Sequence, residues 1–197
     1  MASLPSLTAL PCLAALLLSA CAQPMAPAGP APVAPPPAFN PTPAALRPID
    51  TQVVQRLKTS LATWQALRDS VSAYHYQVVF ESYTGFRSVT TVQVRGHQVV
   101  ERRLQTQAGR ASGLTLQWVE TGAELGRHPG AAAPMTLDQL YDLAMALLEA
   151  PLKPHEQFSL GIDSKGLLQH CYIADRRIAD DAPKAGVPRL ELELNPT

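Results

Sequence analysis

From Asp50 to Tyr74 the apolar residues recur every three or four positions: Val53, Val54, Leu57, Leu61, Trp64, Leu67 and Val71. That spacing predicts an amphipathic helix, with Asp50 or Thr51 as its N-cap. The period then drops to two, as Tyr74, Tyr76, Val78 and Phe80 alternate with His75, Gln77, Val79 and Glu81. Such alternation predicts a strand. Ser88 to Val94 and Gln98 to Leu104 form a hairpin pattern about Arg95-Gly96-His97, with Gly96 supplying the positive φ of a tight turn. Leu114, Leu116 and Trp118 mark a fourth strand, and Gly122 to Pro134 reads as a loop.

A second helix begins at Thr136-Leu137-Asp138-Gln139, the pattern of a capping box, with Met135 and Leu140 placed for a hydrophobic staple. Its inward face is Leu137, Leu140, Tyr141, Ala144, Leu147 and Leu148, and Pro151 ends it. Three more strands follow, at His155 to Ile162, Leu167 to Ala174 and Val187 to Leu194. The order α-ββββ-α-βββ lacks the alternation of a parallel sheet. It predicts an α+β fold, with two helices packed on a mainly antiparallel sheet.

The amino-terminal quarter has a different character. No Lys, Arg, Asp or Glu precedes Arg47, so all sixteen basic and sixteen acidic side chains lie from that residue onward. Residues 7–20 are an apolar run about 14 residues long, short of the roughly 20 that span a bilayer. The run is the length of a secretory signal core. Residues 22–48 contain ten prolines among small residues, a composition for polyproline and not for helix or sheet. Fully extended, at ~3.1 Å per residue, this arm would reach on the order of 80 Å. The expected organisation is a signal peptide over 1–20, a tether over 21–48 and one globular domain over 49–197.

The apolar run ends in Leu18-Ser19-Ala20-Cys21. This resembles the lipobox of bacterial lipoproteins, in which the Cys thiol is acylated and the chain is cut before it. The resemblance implies a mature chain starting at a lipidated Cys21, with the membrane as partner through that lipid. Ala22, in place of Asp at the second mature position, implies the outer membrane, facing the periplasm. Cys12 leaves with the signal peptide. Cys171 is then the only thiol of the mature chain, so no intramolecular disulfide is expected.

Within the domain, several features occur in a recognisable order. They are Trp64 with Tyr74-x-Tyr76, Val94-Arg95-Gly96-His97-Gln98-Val99, Met135 to Leu143, Asp163-Ser164-Lys165-Gly166-Leu167, a strand to Asp175, and Asp180-Asp181. Together these resemble the DUF6174 family of bacterial lipoprotein domains over most of residues 60–194. The resemblance implies a fold and a location; the family carries no assigned activity.

Chemistry-bearing residues are sparse. A net charge of zero leaves no basic footprint for nucleic acid. His170 and Cys171 are adjacent, and neighbours on a strand point to opposite faces, so the thiol reads as core packing. Asp163, Asp175, Asp180 and Asp181 lie in or beside turns and are weak candidates for calcium, without EF-hand spacing. The five histidines are scattered, with no zinc-ligand spacing and no cofactor motif. Arg102-Arg103 and Arg176-Arg177 read as solvated strand ends that discourage strand addition. The expected role is a non-enzymatic binding or scaffold domain with an envelope protein partner. A carrier with an apolar cavity under a helix is the alternative. A hydrolase pairing His155 or His170 with Ser, Cys or Asp is the third reading.

Overall fold

The computed structural model describes residues 45–109, 112–178 and 185–195. The first half runs α1 (Thr51–Leu67), β1 (Ala73–Glu81), β2 (Arg87–Arg95), β3 (Gln98–Gln107) and β4 (Thr115–Thr121). The second half runs α2 (Leu137–Ala146), β5 (Glu156–Ile162), β6 (Leu168–Asp175), β7 (Ala185–Val187) and β8 (Leu190–Asn195). The fold is α+β, with helices and antiparallel strands in the expected order. The strands form two sheets, one of order β4-β3-β2-β1-β8 and one of order β5-β6-β7.

The second sheet arises because the last expected strand is divided. Val187 pairs with Cys171 in the small sheet, and Leu190 pairs with Val78 in the large one. Pro188 lies at the break, where it has no amide to give to either ladder. The chain thus passes from one sheet to the other within three residues.

Asp50 caps α1 by accepting from the Gln52 amide at 2.7 Å. The helix stops at Leu67, earlier than its apolar stripe implies, and Arg68–Ser70 form one 3₁₀ turn. Ser70 hydrogen-bonds the Leu67 carbonyl at 2.6 Å, offering the backbone a local alternative to the helix. Val71, still buried, is already extended. The β2–β3 hairpin closes Arg95 onto Gln98, with Gly96 at φ 55° and His97 at φ 61°. Two positive φ values define a type I′ turn, so His97 shares the conformation expected only of Gly96.

One hydrophobic core joins both helices to both sheets. Leu57 and Trp64 come from α1, Leu140 and Ala144 from α2, Tyr76 and Val92 from the large sheet, and Leu168 and Cys171 from the small one. Polar tips fix the helices on it. The Tyr141 hydroxyl lies 2.7 Å from Ser60 Oγ on α1 and accepts the Leu168 amide of β6 at 2.9 Å. Tyr74 accepts the Leu137 amide at 2.7 Å, and Tyr76 donates to the Met135 carbonyl at 2.8 Å. Trp64 Nε1 donates to Asp138 at 3.1 Å, and its ring meets Tyr74 edge-on at 5.5 Å. The capping box of α2 is present, with Thr136 and Gln139 bonded reciprocally. Ahead of α1, Arg47 exchanges backbone hydrogen bonds with Leu152 at 2.9 and 2.8 Å.

Tyr141→Phe keeps the ring and removes the hydroxyl, leaving Ser60 Oγ and the Leu168 amide without this partner. Urea unfolding of the variant is expected to show a loss of about 1–3 kcal/mol, the cost of stranding buried polar groups.

Candidate functional site

The most heavily charged buried centre lies on the large sheet. Register sets Arg102 of β3 between Val92 of β2 and Glu120 of β4, on the face that carries Tyr76 toward the core. Arg102 and Glu120 form a two-bond pair, Nε to Oε2 and Nη2 to Oε1, each 2.8 Å. Their side chains are 3% and 0% exposed. This corrects the expectation of a solvated Arg102-Arg103 edge: β3 is an interior strand, and only Arg103 points outward, where it pairs with Glu101.

The pair also holds the loop after β4. Arg102 donates to the carbonyls of Ala132 (3.0 Å) and His128 (2.8 Å). Glu120 accepts from the amides of Gly126 (2.7 Å) and His128 (2.6 Å), and lies 2.8 Å from His128 Nδ1. Trp118 stacks on the His128 ring at 4.7 Å, and the Arg102 guanidinium lies 4.9 Å from the Trp118 ring centre. The Arg102 hydrogen bonds hold the Glu120 carboxyl far below its usual 4.5, against the opposing effect of burial, and the two loop amides assist. A carboxylate so engaged is a clasp for the loop and is poorly placed to accept a proton from a substrate.

A second pair lies on the small sheet. His170 Nε2 is 3.0 Å from Ser159 Oγ, both half-buried, on the face opposite Cys171. This is the contact the hydrolase reading requires, and a separation of eleven positions along the chain hides it from the sequence. The imidazole is seated against Gly161, where an added Cβ would lie 2.3 Å from Cε1 and Nδ1. A ring laid across a strand glycine fills the place of the missing side chain, a role that supports the sheet. His155 lies 3.6 Å from Asp175.

The remaining sequence candidates fall as follows. Cys171 is fully buried, with Sγ 3.9 Å from the Ala144 carbonyl, and burial pushes its thiol up to about 12. Asp163 accepts the amides of Lys165 and Leu167 at 2.8 Å each and so closes its own turn. Asp175 is held by Arg177, which keeps its carboxyl well below the usual range. Arg176 donates to the Pro154 carbonyl at 3.0 Å. Among the described residues no three His, Cys, Asp or Glu side chains are grouped to hold a metal ion. Leu18, Ser19, Ala20, Cys21, Asp180 and Asp181 lie outside the described residues.

The surface offers two kinds of feature. A groove of about 500 Å³ runs between α1 and the Asp163 turn, lined by Gln55, Arg56, Thr59 and Ile162. The cavity between α2 and the large sheet, lined by Tyr76, Met135 and Leu140, is about 140 Å³. Apolar exposure concentrates elsewhere. At the β1–β2 turn Tyr83 is 84% exposed, Phe80 46% and Phe86 37%. Phe80 and Phe86 lie 6.4 Å apart. Phe80 belongs to the inward alternation of β1 in the sequence, and in the structure it has run past the core.

The depressed pKa of Glu120 fixes the sign of an acid dependence. Its ionisation stabilises the fold fully at pH values above about 4.5, and that contribution is lost as pH falls through the lower folded value. Glu120→Gln is therefore expected to be less stable near neutrality and to lose less on acidification than wild type. Urea melts across pH test this, and parallel curves for the two proteins would contradict it. Comparison of the chain with protein-family models, curated proteins and solved structures gives no match.

Proposed function

We propose that the chain is a bacterial envelope lipoprotein, tethered by a lipid on Cys21, whose domain is a non-enzymatic module that binds another envelope protein. The Leu18-Ser19-Ala20-Cys21 motif and the proline-rich arm after it support the tether, and Ala22 supports the outer membrane. One observation carries the binding role: the aromatic tip of the β1–β2 turn. The turn is well formed, with Ser82 N donating to the Phe86 carbonyl at 2.9 Å and Ser82 Oγ 2.7 Å from Thr84 Oγ1. It holds Tyr83 and its two phenylalanine neighbours in solvent, where they gain most by meeting a partner. Aromatic side chains of this kind dominate the energetics of protein interfaces. A lipophilic carrier needs an enclosed apolar cavity of several hundred Å³ beneath its helix, and the cavity beside α2 is about 140 Å³. The 500 Å³ groove beside α1 is open and lined largely by polar side chains such as Gln52, Gln55, Arg56 and Thr59, which favours surface binding.

Two measurements separate the parts of this reading. Labelling cells with a palmitate analogue is expected to tag the wild-type chain and leave Cys21→Ser untagged; equal labelling of both removes the lipid anchor. A photo-crosslinking residue in place of Tyr83 is expected to give a discrete protein adduct in intact cells, and one in place of Gln55 is not. Lipid adducts alone, or none, at Tyr83 would remove the protein-binding role while leaving the anchor intact.

A further inference from the structure

The two edges of the large sheet are finished differently. β8, at one edge, turns Glu191 and Glu193 outward and has the Asp163 turn and β6 alongside. β4, at the other, has only β3 as a strand neighbour among the described residues. Natural edge strands are usually blunted by outward charge or proline. β4 has neither, because its one charged residue, Glu120, is turned inward to Arg102. Thr115, Leu116, Gln117, Val119 and Thr121 are all exposed, with Leu116 at 53% and Val119 at 47%.

Register with β3 sets which way each residue faces. Leu104 pairs with Trp118 and Gln105 with Leu116, so Gln117 is an extra residue at a bulge. The bulge moves Leu116 to the outer face, the face on which Val119 lies opposite Arg103. Thr115 and Glu120 lie on the inner face, opposite Thr106 and Arg102.

We propose that β4 pairs antiparallel with β4 of a second copy of this chain, about a two-fold axis between Gln117 and Trp118. In that register Leu116 meets Val119 of the partner subunit, twice over by symmetry. The pairing covers both strongly exposed apolar side chains of the strand. Leu116 and Val119 meet as outer positions and Thr115 and Glu120 as inner ones, while the bulged Gln117 meets the inner-facing Trp118 at the axis. A one-residue shift either way would set Leu116 against inner-facing Trp118 or Glu120, which selects this register. None of the outward-facing residues of β4 is charged. The exposed Gln117 side chain closes on the Thr115 carbonyl at 3.2 Å, a contact that pairing would displace. The self-complementary placement of Leu116 and Val119 favours a second copy over an unrelated strand.

The full chain, extracted from membranes in mild detergent, is expected to sediment as a dimer, and Val119→Lys as a monomer with an unchanged circular-dichroism melt. Residues directly opposite on antiparallel strands have Cβ atoms about 4.5–5.5 Å apart, close to disulfide reach. Oxidising membranes that hold co-expressed Leu116→Cys and Val119→Cys copies should therefore give a disulfide-linked dimer well above that from either copy alone. Cys171, fully buried, does not compete. A monomeric wild type, a dimer that survives Val119→Lys, or equal cross-linking of mixed and single copies would each overturn the pairing. The cysteine pair decides the question even where Val119→Lys fails to fold.

Discussion

A helix laid on a sheet brings unsatisfied amides at its first turn, and burying them without partners is costly. That constraint organises this domain. The first turn of α2 sits against the core, with Leu137 fully buried, and its amides are met by the Tyr74 hydroxyl and the Thr136 side chain. Tyr76 takes the carbonyl just ahead of the helix, and Trp64 reaches Asp138 from α1. A hydrophobic stripe alone permits a helix to slide along its own axis. Aromatic shafts with polar tips fix the position as well as bury area. Burial accordingly raises the Tyr74 hydroxyl from 10.0 to about 12 and lifts Tyr76 and Tyr141 as well.

The same constraint is met differently at the loop after β4. Residues 125–134 lie outside helix and strand, so their backbone groups need other partners. Arg102 and Glu120 supply them, the guanidinium taking two carbonyls and the carboxylate two amides. An ion pair carries desolvation costs in a core. Here it terminates an irregular segment that apolar side chains could only cover. The arrangement has a second consequence: it draws the only charge of β4 inward and leaves that edge with the neutral surface on which self-pairing depends.

Legibility in the sequence follows the range of each interaction. Both helices, the capping box and the β2–β3 hairpin are written in spacings of two to four residues and appear in the structure. The failures are of longer range or of opposing local signals. Arg102 looked like half of a surface pair because Glu120 is eighteen residues away and no local pattern marks it as a cross-strand partner. Ser60 interrupts the apolar stripe of α1 but is 2% exposed, since its partner Tyr141 lies on the other helix. Two misses did have local signals. Pro188 sits inside the strand it divides, and Tyr83-Thr84-Gly85-Phe86 forms a turn pattern that places Phe80 beyond the core. Of the candidate site, the proposal for Cys21 rests on a contiguous motif in the sequence alone, since that residue lies outside the described ones, whereas the aromatic tip emerges only when exposure is known.

The binding surfaces proposed for the domain are mainly apolar, and this bears on how a partner would be found. With zero net charge and Arg102, Glu120, Asp175 and Arg177 engaged in internal pairs, there is little long-range attraction to steer an encounter. Contacts through a few aromatic or aliphatic side chains are of short range, so their occupancy depends on local concentration. The proposed tether answers that requirement. Linking a module to the surface that carries its partner makes the second contact effectively intramolecular, and modest interfaces become occupied without added affinity. A pair of copies joined through β4 would present two aromatic tips at once and extend the same logic. On this reading the lipid, the proline arm and the uncharged strand edge act on a single quantity, the local concentration of weak apolar sites.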